Sequence, residues 1–381
     1  MNRAFISIVI GLALLGDTPN LPAETAQSTP TATPEQTLSP AQVAQRQFDF
    51  GVQLMRDRKW AGAAQAFERA IRARTNFPQA YYNWGISLVQ LGKQGLTGPE
   101  QLQSFQAAAE KFSRAAAQKP DDKLTYASWS ETLVLIGDLP VESRIRLACY
   151  QGAVEKCRKA AELAPDDWES YNQWAVILST KLPDYAVNDR ARFQLYKEAA
   201  ALFAKTAEHA RFSGEISPVC NNWASALVRA AQVTTDREME QSLLREALEK
   251  FERAARAQPG AAATYTMWGD ALIDLGRVSR LRGDFRDAIE KFNTSLALRP
   301  DDPATLFSLA RVYAQLDDPV MAVQSLKKCF DVDTSRLYRQ SALQDADLAA
   351  LRGTPEFDDL MGKPGPRGLP NYNPHLSDRP Q

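Results

Sequence analysis

Through the middle of the chain, apolar positions recur at spacings of three and four, which places them on one face of a helix. The sharpest case is Tyr-x-x-Trp-small-x-x-Leu. It occurs as Tyr81/Trp84/Gly85/Leu88, Tyr126/Trp129/Ser130/Leu133, Tyr171/Trp174/Ala175/Leu178 and Tyr265/Trp268/Gly269/Leu272. In a fifth copy Cys220 precedes Trp223, Ala224 and Leu227 in place of tyrosine. The five tryptophans are separated by 45, 45, 49 and 45 residues, so one unit is repeated.

A second pattern follows each first one: Ala-x-x-x-aromatic-x-x-Ala-x-x-x-x-Pro, as in Ala108/Phe112/Ala115/Pro120 and Ala247/Phe251/Ala254/Pro259. Looser copies are Ala153/Cys157/Ala160/Pro165 and Ala288/Phe292/Ser295/Pro300. Alanines permit close helix contact, the aromatic fills the gap, and proline ends the helix. Acidic pairs follow three of these prolines: Asp121-Asp122, Asp166-Asp167 and Asp301-Asp302. Their recurrence at one turn marks them as helix caps rather than a metal or acid–base site.

This double pattern resembles the tetratricopeptide repeat over roughly residues 42–334. The resemblance implies an all-α solenoid of antiparallel helix pairs, wound as a right-handed superhelix. Repeat one (Gly51, Leu54, Ala63, Phe67, Ala70) and repeat seven (Leu309, Ala310, Tyr313, Ala322, Leu326) keep the family spacing, with 12 residues from small residue to alanine. The inner repeats depart from it. The gap is 23 from Gly85 to Ala108, Ser130 to Ala153 and Ala224 to Ala247, 24 from Ala175 to Ala199, and 19 from Gly269 to Ala288.

Gly98-Pro99-Glu100 and a capping box at Thr235-x-x-Glu238 place most of this gain ahead of the second helix. In repeat six, Gly283-Asp284-Phe285 sits close before Ala288, which puts the extension in the first helix. Unusually long helices, and a deeper groove, are expected in five repeats. The period also marks the tryptophans as core. Cys157, Cys220 and Cys329 fall at packing positions and read as small hydrophobes.

Boundaries follow: seven repeats over 42–335, capping helices over 336–362 to cover the apolar end of the stack, and a Pro-rich disordered tail over 363–381. The cap includes Leu343, Leu348, Leu351 and Phe357, and Pro355 opens its last helix. At the other end, Arg3 and the apolar run from Ala4 to Gly16 suit a secretory signal over 1–23, or a short uncleaved anchor. A Pro- and Thr-rich spacer follows over 24–41. An exported, periplasmic or other extracytoplasmic setting is therefore expected.

Composition changes this picture only by exclusion. The formal charge is −1, and basic residues alternate with acids, so no nucleic-acid surface is indicated. Only two histidines occur, and neither a phosphate loop nor a Gly-x-Ser-x-Gly elbow is present. No cofactor, metal or catalytic residue is expected.

In the family the first helix of each repeat lines a concave groove. The resemblance implies that its non-core positions contact ligand: Arg56, Tyr82, Asn83, Asn172, Asn221, Asn222, Arg229, Asp270, Phe307 and Arg311. Asparagine donates and accepts at once, which suits a peptide backbone. The expected function is a non-catalytic scaffold for a protein or peptide partner. The alternatives are a self-assembling structural array or a receptor for a small apolar ligand.

Overall fold

The computed structural model describes residues 38–210 and 213–362, and these form helices and turns without a strand. The apolar leader, most of the spacer and the Pro-rich tail lie outside them.

Seven antiparallel helix pairs follow one another. They are α1 (Pro40–Arg56) with α2 (Trp60–Ala73), α3 (Pro78–Gln94) with α4 (Gly98–Gln118), and α5 (Lys123–Asp138) with α6 (Ser143–Leu163). Next come α7 (Trp168–Thr180) with α8 (Asp189–His209), and α9 (Ser213–Val233) with α10 (Arg237–Ala257). Then follow α11 (Ala262–Ser279) with α12 (Arg282–Leu298), and α13 (Pro303–Gln315) with α14 (Pro319–Val332). Each second helix packs on the next first helix, and first helices also touch across repeats, as α3 does α5 and α9 does α11. This is an α-solenoid. Among the described residues no helix is long and apolar enough to cross a membrane.

Within a pair, the small residue of the first helix faces the aromatic of the second. A methyl group on Gly85 would sit 2.7 Å from Phe112, and one on Gly269 would sit 2.4 Å from Phe292. The rings are fully buried, which contributes roughly 1.5–3 kcal/mol each. Repeat three exchanges sizes: Ser130 stands for glycine and Cys157 for the ring, with their Oγ and Sγ 2.9 Å apart. Burial pushes the Cys157 thiol up to about 12.

The inserted residues repeat this contact one heptad outward. Seven residues beyond Gly85, Gly92 meets Phe105, which lies seven before Phe112; a methyl there would sit 2.5 Å from the ring. Gly137 meets Tyr150 and Gly276 meets Phe285 in the same way. Helix α4 accordingly begins ten residues ahead of Ala108, whereas α2 begins three ahead of Ala63. α6, α8 and α10 repeat the ten-residue lead.

Past the small residue, the first helices of repeats two, three, five and six run about one turn further than those of repeats one and seven, whereas that of repeat four does not. There α7 stops at Thr180 and Pro183 begins a short 3-10 helix, because proline cannot continue the hydrogen-bond ladder. In repeat six the extension is shared by α11 and by α12, which starts at Arg282, rather than lying in the first helix alone.

Caps follow the acidic pairs. The Asp122 and Asp302 side chains accept from the backbone N–H of Thr125 and Thr305. Asp167 instead accepts from the Ser170 hydroxyl and pairs with Lys123. The cap of α10 is Asp236, which accepts from Glu238 and Met239, and not Thr235.

The tryptophans are half-buried and not core. Each of the five periodic ones fills the seam to the preceding repeat, and in all but repeat four a lysine of its own second helix lies over the ring. The ammonium-to-centroid distances are 4.4 Å for Lys111–Trp84, 4.5 Å for Lys156–Trp129, 4.6 Å for Lys250–Trp223 and 4.4 Å for Lys291–Trp268. Each lysine follows a glutamate that pairs with it, giving a recurring Ala-x-Glu-Lys segment.

The chain closes with α15 (Leu337–Gln344), a 3-10 helix (Ala346–Leu351) and α16 (Pro355–Met361). Ala342, Leu348, Leu351 and Phe357 are buried against α13 and α14.

The outer heptad contact makes a specific demand. Gly137→Ala is expected to destabilise the protein by about 1–3 kcal/mol, because the Tyr150 ring must move. Gly95→Ala, which meets nothing within 4 Å, should stay within about 0.5 kcal/mol of wild type in the same urea unfolding experiment.

Candidate partner-binding face

Two faces of each first helix are available once its core positions are buried, and one helical step separates them. Counting from the tryptophan, positions −2 and +9 reach toward the next repeat, −1 and +6 toward the preceding one, and +2 either way.

The first set forms polar rungs between neighbouring first helices. Tyr82 and Ser128 hydroxyls lie 3.4 Å apart, and Asn221 Nδ2 donates to Thr264 at 2.9 Å. Lys93 pairs with Glu131 at 2.8 Å, Lys181 with Asp138 at 2.7 Å, and Gln232 donates to Asp274 at 2.9 Å. Ser308 donates to Asp270 at 2.7 Å.

This placement corrects several sequence-derived site residues. Asn172 is 9% exposed at the −2 position and Phe307 is 8% exposed, its ring 5.2 Å from Tyr338 of α15. Neither offers a side chain to a groove ligand. Tyr82 packs on Phe112 as well as on Ser128, and burial pushes its hydroxyl pKa up. Asn221 is spent on Thr264, and Asp270 and Arg311 on one another and their neighbours.

Ser128 and Ser308 at −1 and Asp274 at +6 take part in these rungs, but other members of the second set stay open. Asn83 and Asn222 are half-buried at −1, while Arg229 and Arg56 are exposed at +6. In repeat four this register belongs to Gln173 and Thr180, which the sequence reading passed over for Asn172. Among the described residues no cluster of three or more His, Cys, Asp or Glu is placed to hold a metal ion.

A family model described as tetratricopeptide repeat matches residues 281–328, from the start of α12 into α14. That stretch includes repeat seven, one of the two without the insertion, and the helix-pair architecture extends the same unit along the described chain. Residues 281–328 are a tetratricopeptide repeat, and the described array has the tetratricopeptide fold. No curated protein matches its sequence.

The tetratricopeptide fold is shared with the C-terminal part of a repeat-containing protein from Cytophaga hutchinsonii, at TM-score 0.53 and 11% identity, over 76% of this chain and 96% of that one. YrrB, a tetratricopeptide protein with an unusual peptide-binding site, aligns at TM-score 0.42 and 16% identity, over 62% of this chain and 100% of its own. MamA aligns at 0.42 and 13%, over 58% and 94%.

At the C-terminal end of the tetratricopeptide array the first-helix face carries a dense charge cluster. Arg311 Nε donates to Asp347 Oδ2 at 2.9 Å and lies 3.7 Å, through Nη1, from Asp270. Burial opposes the Arg311 charge, but Asp347, Asp270 and Asp345 outweigh it and raise its pKa.

Asp270 is crowded by protein, yet its side chain keeps 43% exposure, as befits a groove floor. Loss of water raises its pKa to about 6, against the pull of Ser308 and Arg311. The sequence suggested Asp270 and Arg311 but not Arg277, Gln315, Asp345 or Asp347. The available signal was Asp345 and Asp347 flanked by the apolar pairs Ala342-Leu343 and Leu348-Ala349.

The raised Asp270 pKa favours its protonated form in the folded state. That contribution is fully present below the ordinary carboxylate value of about 4 and is lost as pH rises through about 6. Asp270→Asn keeps the shape without the charge, so its stability relative to wild type should grow between these pH values. Urea unfolding at stepped pH, with carboxyl carbon NMR of Asp270, checks both the direction and the midpoint.

Proposed function

We propose that this protein is a non-catalytic scaffold that binds a protein or peptide partner on the first-helix face of repeats two to five. One observation carries the reading. Asn83, Asn222 and Arg229 take no part in the rungs between repeats, which engage Tyr82, Asn221 and Gln232 and also Ser128, Asp274 and Ser308. Such side chains can pair with an extended backbone, and asparagine supplies both donor and acceptor.

An exported or membrane-tethered setting is part of the proposal, supported by the apolar run Ala4–Gly16 and the Pro- and Thr-rich stretch behind it. Fractionation of cells expressing the full chain, with sequencing of the mature N-terminus, tests that part separately.

A photoreactive residue at position 222 should capture one recurrent protein in cells. Capture should fall at least about tenfold when Asn83 and Arg229 are changed to alanine, with the unfolding midpoint unmoved. Adducts only to other copies of the chain would replace this reading with a self-assembling array. Capture indifferent to both changes would remove the open register from the binding face.

A further inference from the structure

The C-terminal segment does more than cover the end of the stack. Covering is the work of Leu348, Leu351 and Phe357, which are buried against the last pair. Asp347 points elsewhere. Its carboxylate is 8% exposed and lies across the first-helix face, between the last two repeats.

Asp347 Oδ1 accepts from Arg277 Nε at 3.1 Å and from Gln315 Nε2 at 3.2 Å. Oδ2 accepts from Arg311 Nε at 2.9 Å and from Arg277 Nη2, and lies 2.8 Å from Arg311 Nη2. Arg277 belongs to α11 and Arg311 to α13, so one carboxylate is held by two repeats. Asp345 adds a contact to Arg311 Nε at 3.4 Å.

Stability does not account for this arrangement. A buried ion cluster is often no better than well-packed apolar residues of the same volume. It does describe a site for an acidic segment. The occupant is a six-residue 3-10 helix, whose hydrogen bonds have poorer geometry than those of the α-helices flanking it.

We propose that the first-helix face of repeats six and seven is a binding site for peptides of the form Asp-apolar-x-x-apolar, and that Asp347-Leu348-x-x-Leu351 fills it in cis as a built-in competitor. The proposal rests on the groove reading above and adds a ligand class and a gate to it. A partner segment of this type replaces the carboxylate between Arg277 and Arg311 and places its two apolar side chains where Leu348 and Leu351 lay. While the chain's own segment is seated, only repeats one to five are open to a partner.

The test uses the full chain and a fluorescent synthetic peptide copying residues 344–352, read by fluorescence anisotropy. The double variant Asp345→Asn/Asp347→Asn, with a weakened internal competitor, should bind the peptide at least about tenfold more tightly than wild type. Adding Arg311→Gln should abolish that gain, and so should replacing the peptide's aspartates by asparagine. Equal binding by wild type and the double variant, or binding indifferent to Arg311→Gln, overturns the proposal.

Hydrogen exchange provides a check without variants. Saturating peptide should speed exchange of the wild-type amides at 345–351, and unchanged exchange counts against displacement. A dimer of the double variant formed by exchanged segments, seen by light scattering, would assign the site to a second copy instead. Persistent capture at position 222 beside a failed peptide experiment removes this gate and leaves the groove reading intact.

Discussion

The architecture depends on how closely two antiparallel helices can approach, and here that distance is set by a side chain of the second helix seated on a small residue of the first. Gly85 under Phe112 and Gly269 under Phe292 bring backbones together so that alanines at Ala108 and Ala288 can bury completely. A methyl on either glycine would press on a ring that is itself enclosed. The demand is graded along the array: Ala175 and Ala224 stand opposite Phe203 and Phe251, and Ser130 stands opposite the smaller Cys157.

The insertions obey the same rule. A family-length repeat contains one such contact; inserted repeats two, three and six add a second, seven residues out on both helices. Seven is close to two helical turns, so the added pair returns to the same face and extends the existing seam. This explains why the extra residues become helix and not loop. Their division between the two helices follows from local chemistry, with Pro183 diverting repeat four into a 3-10 turn.

Much of this was legible beforehand. The tryptophan period, the Ala-aromatic-Ala-Pro pattern and the acidic turns establish the pairs and their order, and Gly98-Pro99 marks where α4 starts. The outer heptad was equally visible in Gly92 and Phe105 but is apparent only when both helices are read in opposite directions. The binding face was less legible for a geometric reason. Adjacent residues on a helix differ by about 100° in direction, so Asn221 and Asn222 are neighbours in sequence and strangers in space. Asn221 bridges to the next repeat, whereas Asn222 does not share its register. The site around Asp347 joins residues 70 positions apart, which no local pattern encodes.

Repeat four departs from the others. Its first helix is the shortest of the inserted set, and its tryptophan is covered by Arg158 of the preceding repeat at 5.2 Å because Leu202 stands where the others have lysine. Asn83 lies on one side of this unit and Asn222 on the other. Any single partner touching both would have to pass over the one inserted repeat that lacks the lysine–tryptophan stack.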